Sequence, residues 1–285
     1  MPSTYLVETS RMAVKQTKRG LMMYNRNDLF VGRSLDLYGE WTELEILQME
    51  QMLRPGDTVI DVGANIGTHA VALAKIVGRT GVVHAFEPQR PMFYTLCGNV
   101  ALNALDNVIC HHRAVGSAAG EALIPRGNQD RPDNFAAVHL NAGTAADSDA
   151  VPVVTLDSLN LQECRLIKAD VEGMEPDVLK GAADTIRRLR PFLYIECHDP
   201  RTSRDTISLI FEYGYRAWWH ICGYYNEYNF FGCRENVFGG FMPAGNLLCI
   251  PADRGSHFRG LPECTSVDDT WQDVLRRMRD AQTAA

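Results

Sequence analysis

Apolar residues recur along the chain with two periods, one typical of buried strands and the other of amphipathic helices. The β-branched stretch at 57–60 predicts a buried strand, and apolar residues at three- and four-residue spacing predict a helix at 68–77. The alternation continues, with strands predicted at 82–86, 108–114, 164–170 and 191–197 and helices at 91–104 and 176–189. This order predicts an α/β fold with a doubly wound, mostly parallel sheet. Segments 215–219 and 246–250 are predicted as the last two strands, including a late antiparallel one.

Three segments depart from this alternation. Residues 1–54 form an N-terminal lead-in, where a helix is predicted at 42–53 with Thr42 as its N-cap and Glu45 completing a capping box. The core domain is expected at 55–251, and the tail at 252–285 carries a helix predicted at 267–278. Residues 116–150 form an insertion with little apolar periodicity. Because loops of this length are usually functional or disordered, we expect either a hairpin or lid that folds over the acceptor pocket or a passive surface insertion.

The junction between the first core strand and its helix carries a glycine turn, Asp61-Val62-Gly63-Ala64-Asn65-Ile66-Gly67. Glycines at 63 and 67 let the backbone turn tightly and approach a ligand where a Cβ would collide. Twenty residues after Gly67, the next predicted strand ends at Glu87, whose carboxylate can accept both hydroxyls of a ribose. The sequence therefore predicts a nucleoside-binding βαβ unit.

Two classes of ligand use such a unit. A dinucleotide site has the pattern G-x-G-x-x-G, so that a pyrophosphate can lie on the helix N-terminus. Here Asn65 and Thr68 replace the second and third glycines, and Asp61 suits a cationic ligand better than a diphosphate. S-adenosyl-L-methionine carries an ammonium, a sulfonium and a ribose but no phosphate, so the pattern favours it. Glu87 is then predicted to hold the ribose, and the methionine and ribose side is predicted to be lined by Asp61, Gly63, Asn65 and Gly67. An NAD(P)-dependent oxidoreductase and a non-catalytic module that only binds the ligand are the alternatives.

The motifs that carry a family resemblance follow one another along the chain. They are 36–41 (DLYGEW), 61–67 (DVGANIG), 86–88 (FEP), 155–159 (TLDSL), 167–173 (IKADVEG) and Glu175. Together they resemble the ordered motifs of FkbM methyltransferases over about residues 20 to 250. At position 169, where the family usually has a larger apolar residue, this chain has an alanine. The resemblance implies a class I, Rossmann-like fold that binds S-adenosylmethionine at the carboxyl ends of the strands. It also implies O-methylation, commonly of a sugar or polyketide hydroxyl, and leaves the acceptor unidentified.

Candidate catalytic residues lie at the ends of the fourth and fifth predicted strands. Because alternate strand residues share a face, Lys168 and Asp170 are expected on one side of the sheet. Asp170, at the mouth of the strand, is predicted to remove the acceptor proton or to orient the hydroxyl. On the next strand Glu196 and His198 share a face, and His198 could be a base that titrates near neutrality.

Three interpretations of the later candidate residues stay open. Asp170, Glu196 and His198 could instead hold a divalent cation, although convergence of three ligands cannot be read from a sequence and no metal is assigned. Glu172, in the following turn, could cap the next helix. The aromatic segments 218–220 and 224–231 either pack in the core or bind a polyhydroxylated acceptor.

Composition narrows the class of protein. A net charge of -7 disfavours non-specific binding to nucleic acid. The eight cysteines are scattered and form no C-x-x-C pair, so buried thiols are expected rather than disulfides or a zinc site. The sequence lacks a long apolar run and an N-terminal signal core, which predicts a cytoplasmic protein without a membrane span. The expected partner is a small-molecule or glycan acceptor, and the oligomeric state is not predicted.

Overall fold

The computed structural model describes residues 4–140, 144–240, 242–255 and 258–283. Parts of four predicted segments therefore lie outside the described residues: 1–3 of the lead-in, 141–143 of the insertion, 241 of the core domain, and 256–257 and 284–285 of the tail. The described strands, numbered in chain order, are β1 Tyr5–Glu8, β2 Met12–Thr17, β3 Gly20–Asn25, β4 Thr58–Val62, β5 Val82–Phe86, β6 Val108–His111, β7 Ala114–Val115, β8 Gly120–Pro125, β9 Ser148–Val154, β10 Leu166–Ala169, β11 Phe192–Glu196, β12 Tyr215–Gly223, β13 Pro243–Pro251 and β14 Glu263–Cys264.

The described α-helices flank these strands. They are α1 Val31–Leu37, α2 Glu43–Glu50, α3 Thr68–Val77, α4 Arg90–Leu102, α5 Glu175–Gly181, α6 Ala183–Leu189, α7 Ser203–Glu212 and α8 Trp271–Thr283. No helix in the described ranges is both long and apolar enough to cross a lipid bilayer.

The central sheet has eight strands in the order β14-β12-β13-β11-β10-β4-β5-β6. The pairs β11-β10, β10-β4, β4-β5 and β5-β6 are parallel, whereas β13 runs antiparallel between β11 and β12. The predicted doubly wound, mostly parallel sheet with a late antiparallel strand is confirmed. Buried apolar residues cover both faces of the parallel strands, which explains why these strands read as continuous apolar runs.

The carboxyl ends of the parallel strands lie side by side. Lys168 is in register with Asp61, and Asp61 is in register with Ala85 on the next strand. The loops that follow β4, β5, β10 and β11 therefore meet at one edge, where ligands bind in open α/β sheets. The candidate site lies among these loops, at the carboxyl ends of the parallel strands.

The N-terminal lead-in differs from the prediction. Residues 5–25 form a three-stranded antiparallel sheet, β1-β2-β3, which the sequence analysis did not predict. Helix α2 begins after Thr42 as expected, but the capping box is wrong: Thr42 has a left-handed backbone and its side chain does not cap the helix. The Thr42 hydroxyl instead lies 3.2 Å from His69 Nε2, because the lead-in folds back onto α3.

Three predicted elements in the core also differ. The strand predicted at 108–114 ends at His111, and Ala114–Val115 belongs to a separate sheet of order β7-β9-β8. The insertion 116–150 holds β8 and the beginning of β9, which pair as an antiparallel hairpin. The helix predicted at 176–189 is two helices, since Gly181 packs against the backbone of Gly116 at their junction. The tail helix begins at Trp271, later than predicted.

All eight cysteines are free. Five of them are buried, and Cys197, Cys249 and Cys264 lie in the largest apolar cluster. The expectation of buried thiols rather than disulfides is confirmed for these five.

Candidate functional site

The glycine turn joins β4 to α3 and lies against the end of β10. Gly63 and Gly67 have positive φ angles of 77° and 89°, and Asn65 is also left-handed at 49°. A Cβ at position 63 would overlap the carbonyl oxygen of Asp170, and one at position 67 would lie 2.7 Å from Leu96 Cδ1. The backbone conformation therefore favours glycine at both positions, and close packing against a backbone carbonyl also requires it at position 63. Gly63 and Asn65 line a cavity at the edge of the sheet, whereas Gly67 supports the turn from behind.

Glu87 lies in the wall of the same cavity, directly after β5. One carboxylate oxygen accepts a hydrogen bond from the Asn65 amide at 2.9 Å, and the other accepts one from the Gln89 amide at 2.7 Å. Burial raises the pKa of Glu87 to about 7, against the lowering effect of these two amides. Each oxygen keeps a lone pair for a further donor, so the carboxylate can still accept hydroxyl groups.

Asp61 and Lys168 form a buried ion pair beneath the cavity. Lys168 Nζ lies 3.2 Å from Asp61 Oδ1 and 3.5 Å from Asp170 Oδ2. Burial opposes the charge on Lys168, but Asp61 and Asp170 outweigh it and raise the lysine pKa. Lys168 and Asp170 line the cavity, whereas Asp61 does not. The structure therefore gives Asp61 a supporting position rather than the expected place in the wall.

Carboxyl groups converge where β10 and β11 end. Asp170, Glu172 and Glu196 all line the cavity. Burial raises the pKa of Glu196 well above its ordinary value, and neighbouring carboxylates, Asp170 first, raise it further. The same two causes raise the pKa of Glu172 to about 7. At neutral pH the cluster therefore retains protons, which limits the repulsion around Asp170.

The turn that follows β10 is held by Glu175 and not by Glu172. Glu175 Oε1 accepts hydrogen bonds from the amides of Val171 and Gly173 at 2.9 and 3.3 Å. Glu172 has a left-handed backbone, and its side chain faces the cavity. The capping role considered for Glu172 is not formed, because no side chain caps α5, and Glu175 instead holds the turn that precedes the helix.

His198 is turned away from this cluster. Its ring stacks on Trp271 of α8, with 4.8 Å between the centroids, and it does not line the cavity. Strand β11 ends at Glu196, so the alternation that placed both side chains on one face no longer applies two residues later. Within the described ranges no three His, Cys, Asp or Glu side chains converge as metal ligands. The three-ligand arrangement considered from the sequence is therefore not formed.

An aromatic wall closes the side of the cavity opposite the strand ends. Trp41 and Tyr224 lie 5.0 Å apart between ring centroids, and Phe30 packs edge-on against Tyr224. All three line the cavity. The insertion contributes Ile124 and Asn134 among other lining residues. Of the aromatic segments singled out above, Tyr224 reaches the cavity, whereas Trp219 is a fully buried core residue.

Sequence reasoning missed a second polar group in the cavity wall, formed by Glu45 and His69. Both side chains are buried, yet both line the cavity. A signal was present for Glu45, because it lies four residues before Met49 and therefore on the buried face of α2. A charged residue on the apolar face of a helix indicates that its side chain has a polar partner elsewhere in the fold.

The parallel sheet, the glycine turn after β4 and the buried carboxylate after β5 define the nucleoside-binding class of doubly wound α/β proteins. Residues 61–217 match the methyltransferase FkbM domain, which is more than half of the 285-residue chain. The chain therefore belongs to the FkbM family of methyltransferases. The family resemblance seen in the sequence is confirmed.

Two characterised relatives and one solved structure are similar to the chain. Hexuronic acid methyltransferase AglP of Haloferax volcanii is 28% identical over 186 residues, which cover 64% of this chain and 72% of the relative. Methyltransferase sdnD of Sordaria araneosa is 26% identical over 185 residues, which cover 54% and 71%. The crystal structure of methyltransferase FkbM from Methylobacillus flagellatus aligns with a TM-score of 0.47 and 18% identity, over 72% of this chain. The chain spans 50% of the length of that structure.

Proposed function

We propose that the chain is an S-adenosylmethionine-dependent O-methyltransferase that acts on a hydroxyl group of a sugar, a glycan or a secondary metabolite. The observation that carries the proposal is that the glycine turn, Glu87 and Asp170 line one cavity at the carboxyl ends of the parallel strands. The similarity to hexuronic acid methyltransferase AglP favours a sugar among these acceptors.

The wall around the glycine turn fits the methyl donor. Gly63 keeps the backbone open where a Cβ would overlap its neighbour, and Asn65 occupies the position of a dinucleotide site's second glycine. Glu87 offers two oxygens, each with capacity for one more hydrogen bond, which suits the two hydroxyls of a ribose. We assign Gly63, Asn65 and Glu87 to the donor. Asp61 and Gly67 support them from behind the wall.

The donor, when bound, supplies a methyl group activated by a sulfonium. The protein must then hold the acceptor hydroxyl in line with the methyl carbon and the sulfur. We assign this role to Asp170, because its carboxylate lines the cavity and its side chain is 39% exposed. Lys168 fixes Asp170 from below, and Glu196, which burial and Asp170 keep protonated, can donate a hydrogen bond beside it.

The aromatic wall suits a sugar acceptor. Trp41 and Tyr224 present apolar ring faces together with N–H and O–H groups, a combination that fits the faces and hydroxyls of a sugar ring. The N-terminal lead-in supplies Phe30 and Trp41 to this wall, and residues of the insertion line the same cavity. We therefore propose that the domain at 55–251 works together with the lead-in, and that 116–150 acts as the cover.

Calorimetric titration with S-adenosylhomocysteine and with NAD⁺ tests the donor assignment. Binding of S-adenosylhomocysteine alone supports the proposal, whereas binding of NAD⁺ alone would assign the chain to the oxidoreductases. Transfer is then measured from radiolabelled S-adenosylmethionine to a panel of free uronic acids, nucleotide sugars and glycans. Donor binding without transfer to any acceptor would favour a non-catalytic module.

A further inference from the structure

A buried carboxylate and a buried imidazole meet in the wall of the cavity, on residues from two different parts of the chain. Glu45 belongs to helix α2 of the lead-in, and His69 is the second residue of α3. Glu45 Oε2 lies 3.3 Å from His69 Nε2, and the two side chains are each 5% exposed. Both residues line the cavity that also contains Asp170.

Glu45 is held firmly in this position. Asn246 Nδ2 donates a hydrogen bond to Glu45 Oε1 at 3.0 Å, and Cys222 Sγ lies 3.8 Å from the same oxygen. Both partners come from the antiparallel part of the sheet, since Asn246 is on β13 and Cys222 on β12. The second oxygen of Glu45 is therefore the one directed at the imidazole.

The contacts of His69 decide which of its nitrogens carries the hydrogen. Thr42 Oγ1 and Glu45 Oε2 both approach Nε2, at 3.2 and 3.3 Å. A carboxylate oxygen accepts hydrogen bonds and cannot donate them, so its approach favours the tautomer with the hydrogen on Nε2. In that tautomer Nδ1 keeps its lone pair. No described residue hydrogen-bonds Nδ1.

We propose that His69 accepts the proton of the acceptor hydroxyl at Nδ1 and that Glu45 is the positioning residue that fixes its tautomer. The inference deepens the proposed function and rests on it. The acceptor O–H bond breaks and its proton moves to Nδ1, while the electron pair stays on oxygen and forms the new C–O bond. The methyl–sulfur bond breaks with its electron pair going to sulfur, so a sulfonium and a neutral imidazole become a neutral thioether and an imidazolium.

In this assignment Asp170 and His69 have separate roles in the reaction. Because a hydroxyl has only one proton to donate, Asp170 orients the acceptor by accepting a hydrogen bond from a neighbouring hydroxyl of the sugar, and His69 removes the proton of the reacting hydroxyl. A carboxylate next to an imidazole both sets the tautomer and stabilises the imidazolium that forms, as in other carboxylate–histidine pairs. The lead-in then contributes to the chemistry as well as to the wall, because Glu45 and Thr42 both precede the core domain.

The first measurement does not depend on activity. Nitrogen-15 NMR of the wild-type protein, with and without S-adenosylhomocysteine, reports which nitrogen of His69 carries the hydrogen. We expect Nε2–H in the wild type and a lower Nε2–H population in Glu45→Gln. A wild-type His69 with its hydrogen on Nδ1 would overturn the inference, since Nδ1 then has no lone pair to accept a proton.

The second measurement separates turnover from donor binding. His69→Gln should bind S-adenosylhomocysteine within about threefold of the wild type and lose about 10²–10⁴-fold in kcat, the range of general-base catalysis. Glu45→Gln should show a smaller loss in kcat with unchanged donor affinity. Glu50→Gln is the matched control, because it removes an exposed carboxylate from the same helix outside the cavity. Thermal unfolding of each variant identifies losses that come from misfolding.

Three further outcomes separate this inference from the proposed function. Wild-type turnover in His69→Gln would overturn the inference and leave the function standing. Loss of S-adenosylhomocysteine binding in both variants would overturn it by assigning the pair to the donor. A wild-type enzyme that transfers no methyl group would contradict the proposed function before any variant is made, and the inference falls with it.

Discussion

Lys168 lies directly over Asp61, with its ammonium nitrogen 3.2 Å from Asp61 Oδ1, and the two side chains are 2% and 0% exposed. Neither oxygen of Asp61 has an aligned hydrogen bond among the described residues, so the ion pair is what balances its buried charge. A buried carboxylate without a counter-ion would cost several kcal/mol of stability. Asp61 can therefore be buried as a charged group only because Lys168 lies next to it. The first position of the glycine-turn motif is therefore held by a residue 107 positions later in the chain.

Removing Lys168 should destabilise the whole domain. Lys168→Met leaves Asp61 buried and unpaired, and we expect a loss of about 3–5 kcal/mol in the free energy of unfolding. Urea denaturation followed by circular dichroism measures it. Lys180→Met, which removes an exposed lysine paired to Asp177 on a helix surface, is the control and should cost under about 1 kcal/mol. Equal stability of the two variants would show that the ion pair does not hold Asp61.

The double variant tests the same pair from the other side. Asp61→Asn in the Lys168→Met background removes the charge that the single variant leaves unpaired. We expect it to recover part of the lost stability, since an uncharged amide is cheaper to bury than a carboxylate. A double variant less stable than Lys168→Met would assign the stability to other contacts of Asp61.

Glu87 should control affinity for the methyl donor. In Glu87→Ala the two-oxygen contact with a ribose is lost, together with the hydrogen bonds that hold the Asn65 and Gln89 amides. We expect S-adenosylhomocysteine to bind about 1.5–3 kcal/mol more weakly, or tenfold and more, as measured by calorimetry. Glu121→Ala, which removes an exposed carboxylate from the insertion, should leave affinity unchanged. Wild-type affinity in Glu87→Ala would remove Glu87 from the donor site.

The sequence could predict that the site lies at the carboxyl ends of the parallel strands, but not how deeply each side chain is buried there. Alternation and strand order correctly bring Gly63, Glu87, Asp170 and Glu196 to one cavity, because parallel strands end on the same side. The pattern gives no information on what covers a residue. Asp61 is consequently buried under a lysine from a neighbouring strand.

The lead-in was the least predictable part of the site. Its β1-β2-β3 sheet and the approach of Glu45 to His69 depend on contacts between distant segments, which local periodicity does not encode. The capping box failed for the same reason. Thr42 meets the local criterion for an N-cap, but a tertiary contact with His69 takes its hydroxyl. A side chain that fits a local motif can thus contact a residue that is distant in the sequence instead of capping its own helix.

Glu172 should make stability depend on pH. Its pKa in the folded protein is about 7, raised by burial and then by Asp170, against an ordinary value of 4.5. Between these values the folded state keeps a proton that the unfolded state has lost, so stability falls as pH rises from 4.5 to 7. Glu172→Gln removes this penalty. We expect the variant to match the wild type near pH 4.5 and to exceed it by about 1–2 kcal/mol at pH 8, after allowance for its partial exposure.

Urea unfolding at several pH values checks the Glu172 prediction. The measured quantity is the difference in unfolding free energy between Glu172→Gln and the wild type. Glu227→Gln, which removes an exposed carboxylate outside the cavity, is the control for a general charge effect. A difference that does not grow with pH would mean that Glu172 is ionised in the folded protein without cost.

Asp170 should separate donor binding from methyl transfer. Its carboxylate lines the cavity beside Glu196 and is fixed by Lys168 at 3.5 Å, so Asp170→Asn keeps the shape of the site and removes the charge. If Asp170 orients the acceptor hydroxyl, the variant should bind S-adenosylhomocysteine nearly as the wild type does. Turnover should fall by about tenfold or more, because the acceptor is then held by a neutral amide oxygen, which accepts a hydrogen bond more weakly than a carboxylate. Asp177→Asn, on the exposed surface of α5, is the control.

The Asp170 variant must also be distinguished from a lost metal ion. Activity of the wild type is therefore measured after chelation and after addition of magnesium or manganese. Wild-type activity that survives chelation assigns the loss in Asp170→Asn to the carboxylate itself, whereas activity restored only by a divalent cation would assign it to cation binding. Undiminished transfer by Asp170→Asn to the authentic acceptor would contradict the assignment. The role of orienting the hydroxyl would then pass to Glu196, whose side chain lines the same wall.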